Sequence, residues 1–207
     1  RAASLNSTAA GPLGWDGEPQ QTEKFSKTLP LPKGGSLDLS NISGDIVITG
    51  GAGDQVVIDA VKRGKTAEDL KLVQIEVAAT ATRIEVQTQY PRERRNVNVS
   101  VDYTVSVPRA AGVTVRTVSG NLTLAAIDGE LMADSVSGDV TVKSASRLES
   151  ARTVSGNVTV TNAGALSLAG VTAAGGGAFS LLNNANVTQT AAPISAGTFS
   201  ATLSAGS

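Results

Sequence analysis

The chain has 207 residues, 17 of them basic and 18 acidic, with 3% aromatics, one Trp, one Met and neither Cys nor His. A formal charge of −1 provides no field to draw in nucleic acid or a membrane surface. The missing Cys excludes disulfides, thiolate metal sites and a cysteine nucleophile, and the missing His removes the usual general base, the commonest metal ligand and every Ser–His arrangement.

Any core must be built from Val, Leu, Ile and Ala, side chains that suit stacked strands. No apolar run reaches the roughly 18 residues of a membrane-spanning helix. The chain starts at Arg1 without Met, which fits a mature product whose targeting segment has been removed, and export is the expected route. Residues 1–22 are small, polar and Gly/Pro-bearing, with Trp15 as the only large apolar group, and read as an extended arm.

From Phe25 to Val61, Leu37, Leu39, Ile42, Ile46, Ile48, Val56 and Ile58 alternate with polar residues in the manner of half-buried strands. KTAEDLKLV at 65–73 carries the helical signal: Thr66 and Asp69 stand at capping spacing, and Leu70 and Val73 can face a core. Alternation resumes at 74–78, 82–89 and 96–107. The last of these places Val97, Val99, Val101, Tyr103, Val105 and Val107 on one face before Pro108 ends it.

A repeat follows. TVSGNLTL at 117–124, SVSGDVTV at 135–142 and TVSGNVTV at 153–160 recur every 18 residues, and NISGDIVI at 41–48 is a fourth copy out of phase. Fixed-period self-similarity signals a solenoid. The expected fold is all-β, a single-stranded β-helix or β-solenoid with 18-residue coils, clearest at 113–165, with one short helix near 66–73. Successive coils lie about 4.8 Å apart, so like residues stack. Val118, Val136 and Val154 are expected to form one interior ladder, Leu122, Val140 and Val158 another, and Leu124, Val142 and Val160 a third. Gly44, Gly120, Gly138 and Gly156 mark sharp turns, aided by Asn121, Asp139 and Asn157. Thr123, Thr141 and Thr159 face outward. Arg116, Asp134 and Arg152 recur with alternating sign, an arrangement that favours this register.

The pattern decays after Val160, and residues 166–207 become rich in Gly, Ala, Ser and Thr. They serve as last coils, as a cap over the final edge, or as a strand that pairs with another subunit, with 198–203 the strand-like stretch. Gly64-Lys65-Thr66 looks like the end of a phosphate loop, but Asp59 stands where the first Gly is required, so the motif fails. The SGD turns at Asp45 and Asp139 raise calcium, yet the nine-residue Gly/Asp pattern of calcium-binding solenoids is missing and no metal or cofactor is expected. Arg92, Arg94 and Arg95 form the one basic cluster, a candidate contact for an anionic surface glycan or lipid head group, or else a charged loop that blocks aggregation. Asn6, Asn41, Asn98, Asn121, Asn157 and Asn186 lie in Asn-X-Ser/Thr triplets and are candidate glycosylation sites, although a repeat rich in Asn and Thr generates such triplets by chance.

The run KTLPLPKGGSLDLSNISGDIVITGG at 27–51, followed by the short helix, the Val-rich alternation and the repeated VSGN/D units, resembles the bacterial candidate-adhesin family of unknown function, the DUF4097 type. The resemblance spans about residues 23–165. It implies an exported or envelope-associated β-helix with no catalytic residues to carry over. The functional expectation is a non-enzymatic, extracellular or cell-envelope structural and adhesive protein that assembles with itself by strand exchange through its termini. The alternative is a monomeric glycan-binding or sensing module.

Overall fold

Dense alternation of β-branched and polar residues makes extended chain the cheapest conformation for most of this sequence, because branched side chains pack well on a pleated surface. The computed structural model describes residues 21–91, 97–189 and 194–203. It is all-β, with one 17-stranded sheet and, among the described residues, one helix.

The first strands are β1 (Gln21–Pro30), β2 (Ser36–Ser43), β3 (Ile46–Gly51) and β4 (Gln55–Gly64). Helix α1 (Ala67–Leu72) precedes β5 (Gln74–Ala79), β6 (Arg83–Gln89) and β7 (Val99–Pro108). The repeat then contributes β8 (Gly112–Ser119), β9 (Leu122–Ala125), β10 (Glu130–Ser137), β11 (Val140–Lys143), β12 (Arg147–Ser155) and β13 (Val158–Asn162). The chain continues through β14 (Leu166–Leu168), β15 (Val171–Asn183), β16 (Val187–Gln189) and β17 (Ile194–Leu203).

Equivalent strands of successive repeats pair in parallel at an offset of 18 residues. Asp134 sits between Arg116 and Arg152, and Val140 between Leu122 and Val158. The copy at 41–48 is out of phase in sequence but in phase in space: Asn41 stands beside Thr117 and Ile46 beside Leu122. Its phase is lost because residues 52–111 form an insertion between the first and second rungs.

That insertion corrects the expectation of a uniform solenoid. The sheet is mixed, since β1 with β4, β4 with β7 and β5 with β6 run antiparallel. Their job is physical: β6 covers the outer edge of β2 and β7 that of β3, edges that would otherwise present a row of unpaired amides. Helix α1 begins at Thr66, whose side chain accepts the Asp69 amide at 3.1 Å, and its Leu70 and the following Val73 are buried. Gly64-Lys65-Thr66 is the strand-to-helix turn.

Leu122 and Leu124, Val140 and Val142, and Val158 and Val160 stack as one wholly buried apolar wall, continued by Phe179. The facing wall uses Val113 and Val115, then Leu131 and Ala133, then Leu148 and Ala151. Burying each large aliphatic side chain contributes about 1.5–3 kcal/mol, which makes these two walls the main source of stability.

The two tyrosines lie within the insertion. Tyr103 is 1% exposed and its hydroxyl meets Thr88 Oγ1 at 2.6 Å, while Tyr90 donates to the Val99 carbonyl at 2.9 Å. Burial pushes both phenols up to about 12, outweighing the hydrogen bond from Thr88 in the case of Tyr103. A phenol raised in the folded state and titrating near 10 in the unfolded chain leaves stability constant below about pH 10 and removes it as the pH rises to about 12. Ultraviolet titration should therefore show no tyrosinate at pH 10, followed by alkaline unfolding to which Tyr103 contributes up to about 3 kcal/mol. Half-ionised tyrosine in folded protein at pH 10 would contradict this burial.

Candidate functional site

Each repeat turns the chain at Ser-Gly-Asx, and the turns stack into a column. Gly44, Gly120, Gly138 and Gly156 have φ of 118°, 140°, 143° and 150°. A Cβ on Gly138 would stand 2.2 Å from the Gly120 carbonyl oxygen, and one on Gly120 would stand 2.1 Å from that of Gly44. Positive φ and backbone contact between rungs thus require glycine twice over.

The residue after each glycine ties one rung to the next. Asp45 Oδ1 accepts the Asn121 amide at 2.8 Å, Asn121 Oδ1 accepts that of Asp139 at 3.0 Å, and Asp139 Oδ1 accepts that of Asn157 at 2.7 Å. Asn157 passes the pattern to the Ala178 amide at 3.0 Å, and Asp102 begins it by accepting the Asp45 amide at 3.0 Å. Acid and amide alternate along the repeat. The amide groups of Asn121 and Asn157 also donate to Asp45 and Asp139, at 3.3 and 3.2 Å. Asp102, which lies next to Asp45 at the start of the column, is neutralised by Arg63.

The structure inverts one expected ladder. Val118, Val136 and Val154 are 48%, 48% and 44% exposed, and Ile42 beside them is 43% exposed. The residues that point inward here are Asn41, Thr117, Ser135 and Thr153, all buried. Polarity suits this corner because the glycine carbonyls of the turn face it. Thr153 donates to the Gly138 carbonyl at 2.9 Å and Ser135 reaches that of Gly120 at 3.5 Å. Sequence pattern alone misled here, since Val-Ser-Gly reads as an apolar position entering a turn. The signal that points to the correct face is the neighbouring Thr/Ser/Thr, which holds period 18 as strictly as the valines do.

On the outer face, Ile42, Val118, Val136 and Val154 form one file, and Ser40, Arg116, Asp134 and Arg152 form the next. All of these but Ile42 line a shallow groove of about 510 Å³. Arg116 Nε lies 3.8 Å from Asp134. A second groove, of about 680 Å³, has mixed walls that include Arg109, Asp128, Ser146, Ala163, Leu166 and Asn186. Asp128 accepts from Arg109 Nε and from Ser146 Oγ, each at 3.1 Å, and these partners, Arg109 foremost, hold its carboxyl below the usual range.

Of the candidate glycosylation positions, Asn41 is closed to a glycan: it is 4% exposed and its amide donates to the Val101 carbonyl at 2.8 Å. Asn98, Asn121, Asn157 and Asn186 are exposed, the middle two with their amides engaged in the turn column. Asn6, the basic cluster Arg92, Arg94 and Arg95, and the arm through residue 20 lie outside the described residues. Among the described residues no three His, Cys, Asp or Glu side chains gather as a metal site. Asp45 and Asp139 stand two rungs apart with Asn121 between them. No helix in the described chain is long and apolar enough to cross a membrane. What this surface offers is contact: a ladder face, a groove of mixed polarity and strand edges.

The family described as Toastrack DUF4097 matches residues 13–196. No curated protein matches the chain. Among solved structures, a candidate cell adhesion protein from Clostridium sporogenes is 12% identical, with 89% of this chain and 99% of that one covered and a TM-score of 0.43. A candidate adhesin from Bacteroides fragilis is 13% identical, with 88% and 95% covered and a TM-score of 0.40. A third, from Parabacteroides distasonis, is 10% identical, with 87% and 97% covered and a TM-score of 0.28.

Proposed function

Since this chain belongs to the Toastrack DUF4097 family, we propose that it is a non-enzymatic structural and adhesive protein of the cell surface whose copies join end to end. In this reading the stacked rungs are coils of a β-solenoid, the body begins with β1 and runs to residue 165, residues 166–207 supply the last coils and the exchange strand, and the arm before β1 reaches the next copy.

The observation that carries the reading is β17. It pairs in parallel with β15 on one side and, among the described residues, with nothing on the other. Its sequence, ISAGTFSATL, has no charge and no Pro, the two usual guards of an exposed edge. Phe199 and Leu203 are 53% and 60% exposed, and the Phe199 ring stacks on Phe179 at 5.3 Å, so the apolar ladder runs out to this open end. An edge of that kind is completed by adding a strand.

Electron microscopy of the purified chain is expected to show filaments. Deleting residues 1–20, which leaves β1 whole, should leave a folded monomer and abolish them. Filaments that persist in the deletion, or none at any concentration of the intact chain, would overturn the proposal.

A further inference from the structure

Singly exposed aliphatic residues are ordinary, but a file of four is not. Ile42, Val118, Val136 and Val154 occupy neighbouring strands β2, β8, β10 and β12, so the file spans three strand spacings, about 14 Å. The same repeat shows what a merely solvated outward position looks like. At Thr123, Thr141 and Thr159 it places threonine, which is equally β-branched and carries a hydroxyl for water, and only the first rung of that file, Val47, is apolar. Valine at the other outward file is therefore apolar surface that water alone does not call for.

The flanking file limits what can cover it. In spatial order it reads Ser40, Arg116, Asp134, Arg152, that is, neutral, positive, negative, positive. A two-fold axis parallel to the strands, between the Arg116 and Asp134 rungs, would reverse this order on a facing sheet while keeping each file opposite itself. Arg116 would then meet Asp134 twice and Ser40 would meet Arg152 twice, with no like charges opposed. The next outward file, Asp38, Thr114, Met132 and Ser150, would pair Asp38 with Ser150 and Thr114 with Met132, again without conflict, and Asp38 is already bound by Arg83 at 2.9 Å. Facing sheets cross at about −30°, which displaces the two central rungs by only about 1 Å.

We propose that this face binds a second copy of the same chain, pairing valine file on valine file and Arg116 against Asp134 about that two-fold axis. The contact is lateral and does not depend on end-to-end joining. The two are distinguishable because an isologous contact stops at two copies, whereas an end-to-end one gives an open series.

The test is charge exchange read by sedimentation velocity at up to about 1 mM chain, the range in which weak pairs form. Below the concentration at which filaments appear, the intact chain should approach twice its monomer mass as concentration rises. Arg116→Asp opposes two pairs of carboxylates and Asp134→Arg two pairs of cations, so over that same range each variant alone should remain monomeric while keeping its circular dichroism. An equimolar mixture restores both Arg–Asp contacts and should recover the dimer as a 1:1 heterodimer. Val136→Lys should be monomeric in every mixture. An intact chain that is monomeric throughout, single variants that pair as well as the intact chain, or a mixture that stays monomeric would each overturn the proposal.

Discussion

A Gly138→Ala variant is expected to lose about 4 kcal/mol of stability or more, a large part of what holds a domain together. Two costs add. An L-residue at φ 143° is strained by roughly 1–2 kcal/mol. The added methyl would also stand 2.2 Å from the Gly120 carbonyl, about 1 Å inside contact, so the two rungs must part at the turn. Gly53 separates the two terms, because its φ is 123° but nothing lies within 4 Å of an added Cβ. Gly53→Ala should therefore cost only the backbone strain. Urea midpoints for the two variants decide the matter, and equal losses would mean that contact between rungs is unimportant.

The second large effect is electrostatic. Replacing Asn121 and Asn157 together by Asp preserves every acceptor of the turn column but removes two amide donors and creates an unbroken stack of carboxylates from Asp45 onward. Three adjacent pairs would form at one strand spacing, each costing about 1 kcal/mol at near-water dielectric, and each lost hydrogen bond about another. The expected destabilisation is about 5 kcal/mol at pH 7. The introduced carboxyls would hold their protons more tightly folded than unfolded. Stability should therefore return as the pH falls towards 4 and vanish as it rises. Thermal melts of this variant against the parent across that range test the sign. A pH-independent loss would show that geometry, not charge, sets the alternation.

Strands, the helix with its Thr66 cap and the 18-residue period were legible because each depends on neighbours in sequence or on a spacing that survives any fold. Strand direction was not. Alternation from Phe25 to Val61 announces strands, but nothing local says that β1 will begin at Gln21, inside the expected arm, and lie antiparallel on β4. The phase of the copy at 41–48 was hidden by the insertion. The outer face was misread for a different reason: hydropathy assigns Val118 to the interior, and only the carbonyl left pointing inward by Gly120 and its equivalents makes Thr or Ser the better buried residue. The Asp/Asn alternation was visible as letters. Its meaning, one amide passed upward at every rung, needed the register.

The turn column has a geometric consequence. Because Ser119 and Ser137 are register partners and each rung makes the same link to the next, cutting out residues 120–137 rejoins the chain at an equivalent point. Length in this protein is then a quantised property, separable from the fold. Genetic gain or loss of one 54-nucleotide unit would change the reach of the molecule by about 4.8 Å and leave both ends, and whatever they grip, as they were.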